Sequence, residues 1–146
     1  MVRLHKINEQ NFNECVGLKV KDSQKGFVAD NVYSLAQAWL HCDIARPFAI
    51  YDDDAMVGFI MFDYDENDDE CGVWRFMIDE KYQGEGRGKA AMAAALEYIK
   101  QNPSFCTARL SYEPANAVAE KLYLSFGFIP TGKVIDGEIE MVLKLK

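Results

Sequence analysis

Three glycines alternate in the run Gln83-Gly84-Glu85-Gly86-Arg87-Gly88-Lys89. They follow an apolar stretch that reads as a strand (residues 73–78) and open an alanine-rich stretch that reads as a helix (residues 86–100). Backbone N–H groups left open at a helix N-terminus, together with the positive end of the helix dipole, favour an anion, phosphate above all. Side chains at Gly84, Gly86 and Gly88 would hold such a ligand away from the backbone. Arg87 and Lys89 add positive charge. A nucleoside-triphosphate loop does not fit: only three residues separate Gly84 from Gly88, and Ala90 stands where a metal-binding hydroxyl is needed. Gly86-Arg87-Gly88-Lys89-Ala90-Ala91 matches a dinucleotide pattern, with Glu113 ending the next strand, but the unit starts in mid-chain and leaves no room for two mononucleotide halves. A turn built only for tight packing is the plain alternative.

Few other residues suggest chemistry. Tyr123 lies in an apolar helical stretch, as a proton donor or simply as a core aromatic. Asn116 stands where that helix starts and suits an N-cap. Asp63, Asp65, Glu66, Asp68, Asp69 and Glu70 form an acidic run, which either stays solvated or captures cations. Cys15, Cys42, Cys71 and Cys106 are isolated, as are His5 and His41, so no metal site is expected and buried thiols are the favoured reading.

The elements that must position these residues follow from periodicity. Residues 2–7 alternate as a strand, and helices are expected over 11–20 and 32–42, the second presenting Leu35, Ala38, Trp39 and Cys42 on one face. Pro47 ends that region. A hairpin joins 48–51 to 56–63 across Asp52-Asp53-Asp54-Ala55, and residues 63–70 form a loop before the strand 72–78. After the glycine-led helix come a strand (107–112), a helix (116–126) closed by Gly127, and a hairpin of 129–134 with 138–145 around Asp136-Gly137. Strand, helix and strand in mid-chain make a crossover with one parallel pair, so the fold class is α/β (α+β), a mixed sheet flanked by helices.

The 146 residues suit one domain, residues 1–146, and the 49% apolar content suffices for a core. The net charge of −7 disfavours nucleic acid and suits a cationic partner. No apolar run approaches the roughly 20 residues of a membrane span, and Met1-Val2-Arg3-Leu4-His5-Lys6 lacks a secretory pattern, so no membrane partner and a cytoplasmic location are expected.

The sequence resembles the GNAT superfamily of N-acetyltransferases. The superfamily's cofactor motif, Q/R-x-x-G-x-G/A, is matched by Gln83, Gly86 and Gly88. A second signature is met by Asn116-Ala117-Val118-Ala119-Glu120-Lys121-Leu122-Tyr123 with Ser125-Phe126-Gly127-Phe128. Arg75-Phe76-Met77-Ile78-Asp79, Tyr82-Gln83-Gly84 and Asp136-Gly137-Glu138 look like the bacterial spermine/spermidine acetyltransferase branch. The resemblance implies a centrally splayed sheet and acetyl-CoA as co-substrate, its pyrophosphate on Gln83, Gly84, Glu85, Gly86, Arg87, Gly88 and Lys89. The strand edge Phe76, Met77 and Ile78 would pair with the pantetheine arm, Asn116 would steady that arm, and a backbone N–H near Met77 would meet the oxyanion. Tyr123 would be the general acid in direct transfer through a ternary complex. The implied acceptor is a small primary amine, polyamine first. Alternatives are a protein N-terminus or lysine as acceptor, or a CoA-binding module without turnover. A homodimer is among the arrangements the resemblance implies. Where polyamine acetyltransferases carry acids on the strand before the turn, this chain has Trp74 and Arg75, and Glu70 is the substitute base.

Overall fold

The computed structural model describes all 146 residues, Met1–Lys146. Seven strands form one sheet in the order β1-β2-β3-β4-β5-β7-β6. They are β1 (Val2–Lys6), β2 (Ala45–Asp52), β3 (Ala55–Asp63), β4 (Glu70–Ile78), β5 (Thr107–Tyr112), β6 (Ile129–Ile135) and β7 (Glu138–Lys144), with helices α1 (Phe12–Gly17), α2 (Asn31–Leu40), α3 (Arg87–Lys100) and α4 (Ala117–Ser125). Every pairing is antiparallel except β4 with β5, the pair that α3 connects. The larger core packs α3 and α4 on one face through Ala91, Met92, Ala95, Leu96, Ile99 and Tyr123. The smaller packs α1 and α2 on the other through Cys15 and Ala38, against Ala49, Phe59, Met61 and Met77.

The feature that positions the site is a gap in mid-sheet. β4 and β5 pair only from Glu70↔Thr107 to Val73↔Leu110, after which the strands part. Residues 74–78 therefore have β3 on one side and no strand on the other. This is the splay that the family resemblance implies.

Several boundaries differ from the sequence reading. α1 stops at Gly17 rather than near 20, because the Lys19 N–H is drawn to the Asp79 carboxylate (3.0 Å) and the Lys19 carbonyl accepts from Glu80 (2.8 Å). The expected apolar face of α2 is also wrong at two positions. Trp39 is 78% exposed and Cys42 is exposed, while the helix turns Asn31, Ser34 and Ala38 inward. Asn31 is at home there because its amide donates to the Cys15 carbonyl at 2.8 Å. Pro47 lies inside β2, just past the end of β1, where its missing N–H leaves no ladder bond unmade on that side. Glu70 belongs to β4, so the acidic loop is shorter than expected. Of the four thiols, Cys15 and Cys71 are buried, whereas Cys42 and Cys106 are exposed, which corrects the expectation of four buried ones.

Candidate active site

The glycine turn is built by its neighbours. Asp79, 3% exposed, accepts from the Lys19 and Lys81 N–H groups at 3.0 Å each and starts a single 3-10 turn over Glu80–Tyr82. Gln83 then folds back, its side-chain amide donating to the Ile78 carbonyl (2.8 Å) and exchanging two bonds with Gln24 (2.9 and 3.0 Å). Gly84 (φ 85°) and Gly86 (φ 82°) both take left-handed backbone, which a side chain resists. Asp30 and Asn116 cap α2 and α4 with side-chain oxygens, but α3 begins at Gly86 with no side-chain cap. Between Tyr82 and Ala90, no backbone N–H donates to any protein group. A side-chain cap is worth about 1 kcal/mol to a helix; its absence leaves these donors open to a ligand.

These donors edge a cavity of about 1050 Å³ that runs up the mid-sheet gap, lined by Gln83, Gly84, Gly86, Gly88 and Lys89 at one end. Glu85 and Arg87 are not among its lining residues. The Arg87 guanidinium turns away to Asp52 (3.0 Å) and Glu85 (3.0 Å) and lies 5.2 Å from the Tyr82 ring centroid. The bond from Arg87 holds the Asp52 carboxyl below its usual range.

Phe76, Met77 and Ile78 all line the cavity, but their backbones do not face it alike. The Asp79 N–H bonds to Val57 of β3, whereas the Ile78 carbonyl faces Gln83 on the open side. Alternation along the strand therefore turns the Met77 N–H toward β3 and leaves those of Phe76 and Ile78 facing the gap. The N–H groups open to the gap thus lie one residue to either side of Met77.

Asn116 lines the cavity while its Oδ1 accepts the Ala119 N–H at 3.1 Å, so it is an N-cap with its amide still available. Tyr123, 6% exposed, reaches the cavity from α4, its ring near Tyr112 and Phe128. Burial, and secondarily the charge of Glu138, pushes its pKa well above the usual phenol range.

Another part of the lining comes from β3, β5 and β7: Asp63, Arg109, Ser111, Glu138 and Glu140. Glu70, the substitute base of the sequence reading, is not brought to the cavity. It binds Arg109 (2.7 Å) and Thr107 (3.3 Å), and Arg109 also holds Asp63 (3.3 Å). The carboxylates that line the cavity are Asp63, Asp136, Glu138 and Glu140; the loop acids Asp65, Glu66, Asp68 and Asp69 do not. Glu138 accepts from the Ser111 hydroxyl at 2.7 Å, and Glu140, 8% exposed, from Thr131 at 2.9 Å. Their place at the cavity is invisible in the sequence, although the alternation Glu138-Ile139-Glu140-Met141 does put both on one face. No group of three or more His, Cys, Asp or Glu side chains is placed to hold a metal ion.

Residues 8–128 match the acetyltransferase (GNAT) family. The chain belongs to that family and is an N-acetyltransferase. It is 30% identical to the spermine/spermidine N(1)-acetyltransferase of Bacillus subtilis, over 99% of each chain. Its fold is that of the Vibrio cholerae spermidine N-acetyltransferase solved with CoA and spermine (TM-score 0.78, 17% identity, 98% of this chain and 95% of that one). It is also that of an aminoglycoside acetyltransferase solved with coenzyme A (TM-score 0.81, 14% identity, 99% and 95%).

Proposed function

We propose that the chain, as a single domain, transfers an acetyl group from acetyl-CoA to a small primary amine by direct attack in a ternary complex. The observation that carries this reading is the run of unpartnered backbone N–H groups at the start of α3, opening into a cavity that continues along the unpaired edge of β4. Those donors and Lys89 suit a diphosphate, and the free edge of residues 74–78 suits an extended amide-bearing arm laid beside it as an added strand would be. Bound acetyl-CoA supplies an activated thioester. The Phe76 and Ile78 N–H groups meet the charge that builds on its carbonyl oxygen. Glu138 takes the proton that the amine must lose, being held by Ser111 and close enough to Tyr123 for its charge to be felt there. The new N–C bond forms as the C–S bond breaks, and Tyr123 gives the departing sulfur its proton.

An alkylamine with a pKa of about 10 arrives as a cation, which the acids Asp63, Glu138 and Glu140 suit. The relatives' names suggest polyamines as the first acceptors to try. The exposed thiols Cys42 and Cys106 suit a reducing, cytoplasmic setting. Turnover of acetyl-CoA against an amine panel, with Tyr123→Phe as control, tests the proposal. Acetylated amine with the wild type and little with the variant supports it. Binding of acetyl-CoA without turnover of any amine rejects catalysis.

A further inference from the structure

The side chains of β7 divide between the two faces of the sheet. Ile139 and Met141 pack with the larger core, whereas Glu138 and Glu140 turn to the opposite face and line the cavity. The two acids are held differently. Glu138 is partly exposed, accepts from the Ser111 hydroxyl, and is the one carboxylate whose charge is felt at Tyr123. Glu140 is more than nine-tenths buried, at 8% exposure, and its single hydrogen-bond partner is the Thr131 hydroxyl, which donates to Oε1. Its other oxygen, Oε2, has no partner in the protein, yet it is not sealed: Arg75 Nε is the only sealed side-chain nitrogen or oxygen left without one. Oε2 therefore opens into the cavity that Glu140 lines. No protein cation answers its charge. Arg109 is taken by Asp63 and Glu70, and the two Nη atoms of Arg75 donate to Gln37 Oε1 (2.5 Å) and to the Trp74 carbonyl (3.2 Å).

A carboxylate withdrawn from water with an open oxygen is unfavourable unless a cation completes it. In the transferase reading Glu138 stands at the nitrogen that reacts. Glu140 lies two residues further along the same face, away from the Asp136-Gly137 turn, a step of about 7 Å. We infer that Glu140 receives a second, non-reacting ammonium of the acceptor, so that the preferred substrates carry two amines separated by three or four carbons. An extended chain of that length holds its nitrogens about 5–6 Å apart, which lets one meet Glu138 while the other reaches Oε2. A charged hydrogen bond in a site this dry is stronger than one at the surface. Asp63 lines the cavity too, but its charge is already spent on Arg109. The inference rests on the transferase reading and turns its acceptor from amines in general to those with a second cation at a set distance.

The test uses the intact protein with saturating acetyl-CoA and pairs of amines that differ only in the second nitrogen: 1,4-diaminobutane against pentylamine, and 1,3-diaminopropane against butylamine. The expected kcat/KM is about ten- to a hundredfold higher for the diamine of each pair, the range that a hydrogen bond to a charged group commands. Glu140→Gln, which keeps an acceptor for Thr131 but loses the charge, collapses that ratio toward one, chiefly through the KM of the diamine. Asp136→Asn removes an exposed acid of the same cavity, at a left-handed position that Asn tolerates, and leaves the ratio standing. Melting curves check that both variants fold. Monoamines turned over as well as the diamines by the wild type overturn the inference, as does a ratio that survives Glu140→Gln. A ratio lost equally in Asp136→Asn also overturns it, since the preference then comes from the general negative field. If no amine is turned over, calorimetric titration of 1,4-diaminobutane and pentylamine into CoA-loaded protein reads the same preference. Binding of CoA with no preference for the diamine defeats the acceptor inference alone, and no binding of CoA defeats the transferase reading as well.

Discussion

Burial of a phenol makes its anion harder to form, and at Tyr123 the charge of Glu138 adds to the effect. Tyr123 therefore keeps its proton throughout the range in which amines would be turned over, and in the proposed mechanism it would act first as a hydrogen-bond donor to sulfur as negative charge gathers there. Replacing it with Phe keeps the ring contacts with Tyr112 and Phe128 but removes the proton. The expected loss in kcat is about a hundredfold or more, with acetyl-CoA affinity retained; an unchanged kcat would put the donor elsewhere. The sign of the pH dependence follows. Because the Tyr123 pKa is raised, the rate does not fall between pH 8 and about 10, the ordinary phenol pKa, and a decline centred near 9 would tie activity to another group. At the thiols, burial separates two populations. Cys15 and Cys71 are sealed in the core, while Cys42 and Cys106 face solvent. A chromogenic disulfide should titrate two thiols in native protein and all four in denaturant, and three or more fast native thiols would contradict the packing described.

At the scale of elements, the proposed function depends on two places where regular pairing stops: the parting of β4 from β5, and the uncapped start of α3. Gly86 is left-handed at φ 82°, where an alanine would be strained by about 1–2 kcal/mol. Gly88 has ordinary backbone, and a Cβ there would meet only Ile78 Cγ1, at 3.9 Å. Gly86→Ala should thus lower the denaturation midpoint clearly, while Gly88→Ala, which favours helix, should leave it unchanged or raise it. Equal losses would mean that the turn is not held as described. The glycine turn and the start of α4 were legible in sequence because each is a local pattern whose residues act within one strand–helix junction. The partners that shape them were not. Gln24 with Gln83 spans 59 positions and Arg75 with Gln37 spans 38, and no periodicity encodes such meetings. The face of α2 was misread for a related reason: Asn31 and Ser34 are polar by type, and only the carbonyl of Cys15 makes an inward Asn31 favourable.

Over the whole molecule, charge and topology divide the labour. A chain of net charge −7 presents open amide donors at one end of its cavity and acids at the other, so in the proposed reading an anionic co-substrate and a cationic amine would be drawn to different ends of one channel. The order of elements was readable from the sequence, including the parallel crossover. The base now proposed was not, because Glu70 in sequence is simply the last acid of a run, and only the fold shows Arg109 engaging it while β7 brings Glu138 to the cavity. Global stability should carry an alkaline signature. Burial raises the pKa of Cys15 to about 11 and of Cys71 to about 12, whereas an unfolded thiol ionises near about 8.5. Above that point the unfolded chain binds fewer protons than the native one, so stability falls as pH rises. The urea midpoint should hold level from pH 7 to 8 and decline beyond about 9, less steeply in Cys71→Ala; a midpoint that climbs over this range would reverse the sign of the argument. The most direct measurement is a titration of isotope-labelled protein with acetyl-CoA, followed by backbone amide resonances. Saturable shifts should concentrate at Gln83, Gly84, Glu85, Gly86, Arg87, Gly88 and Lys89 and at Phe76 and Ile78, whereas resonances of those amides that stay fixed at millimolar acetyl-CoA would contradict the account.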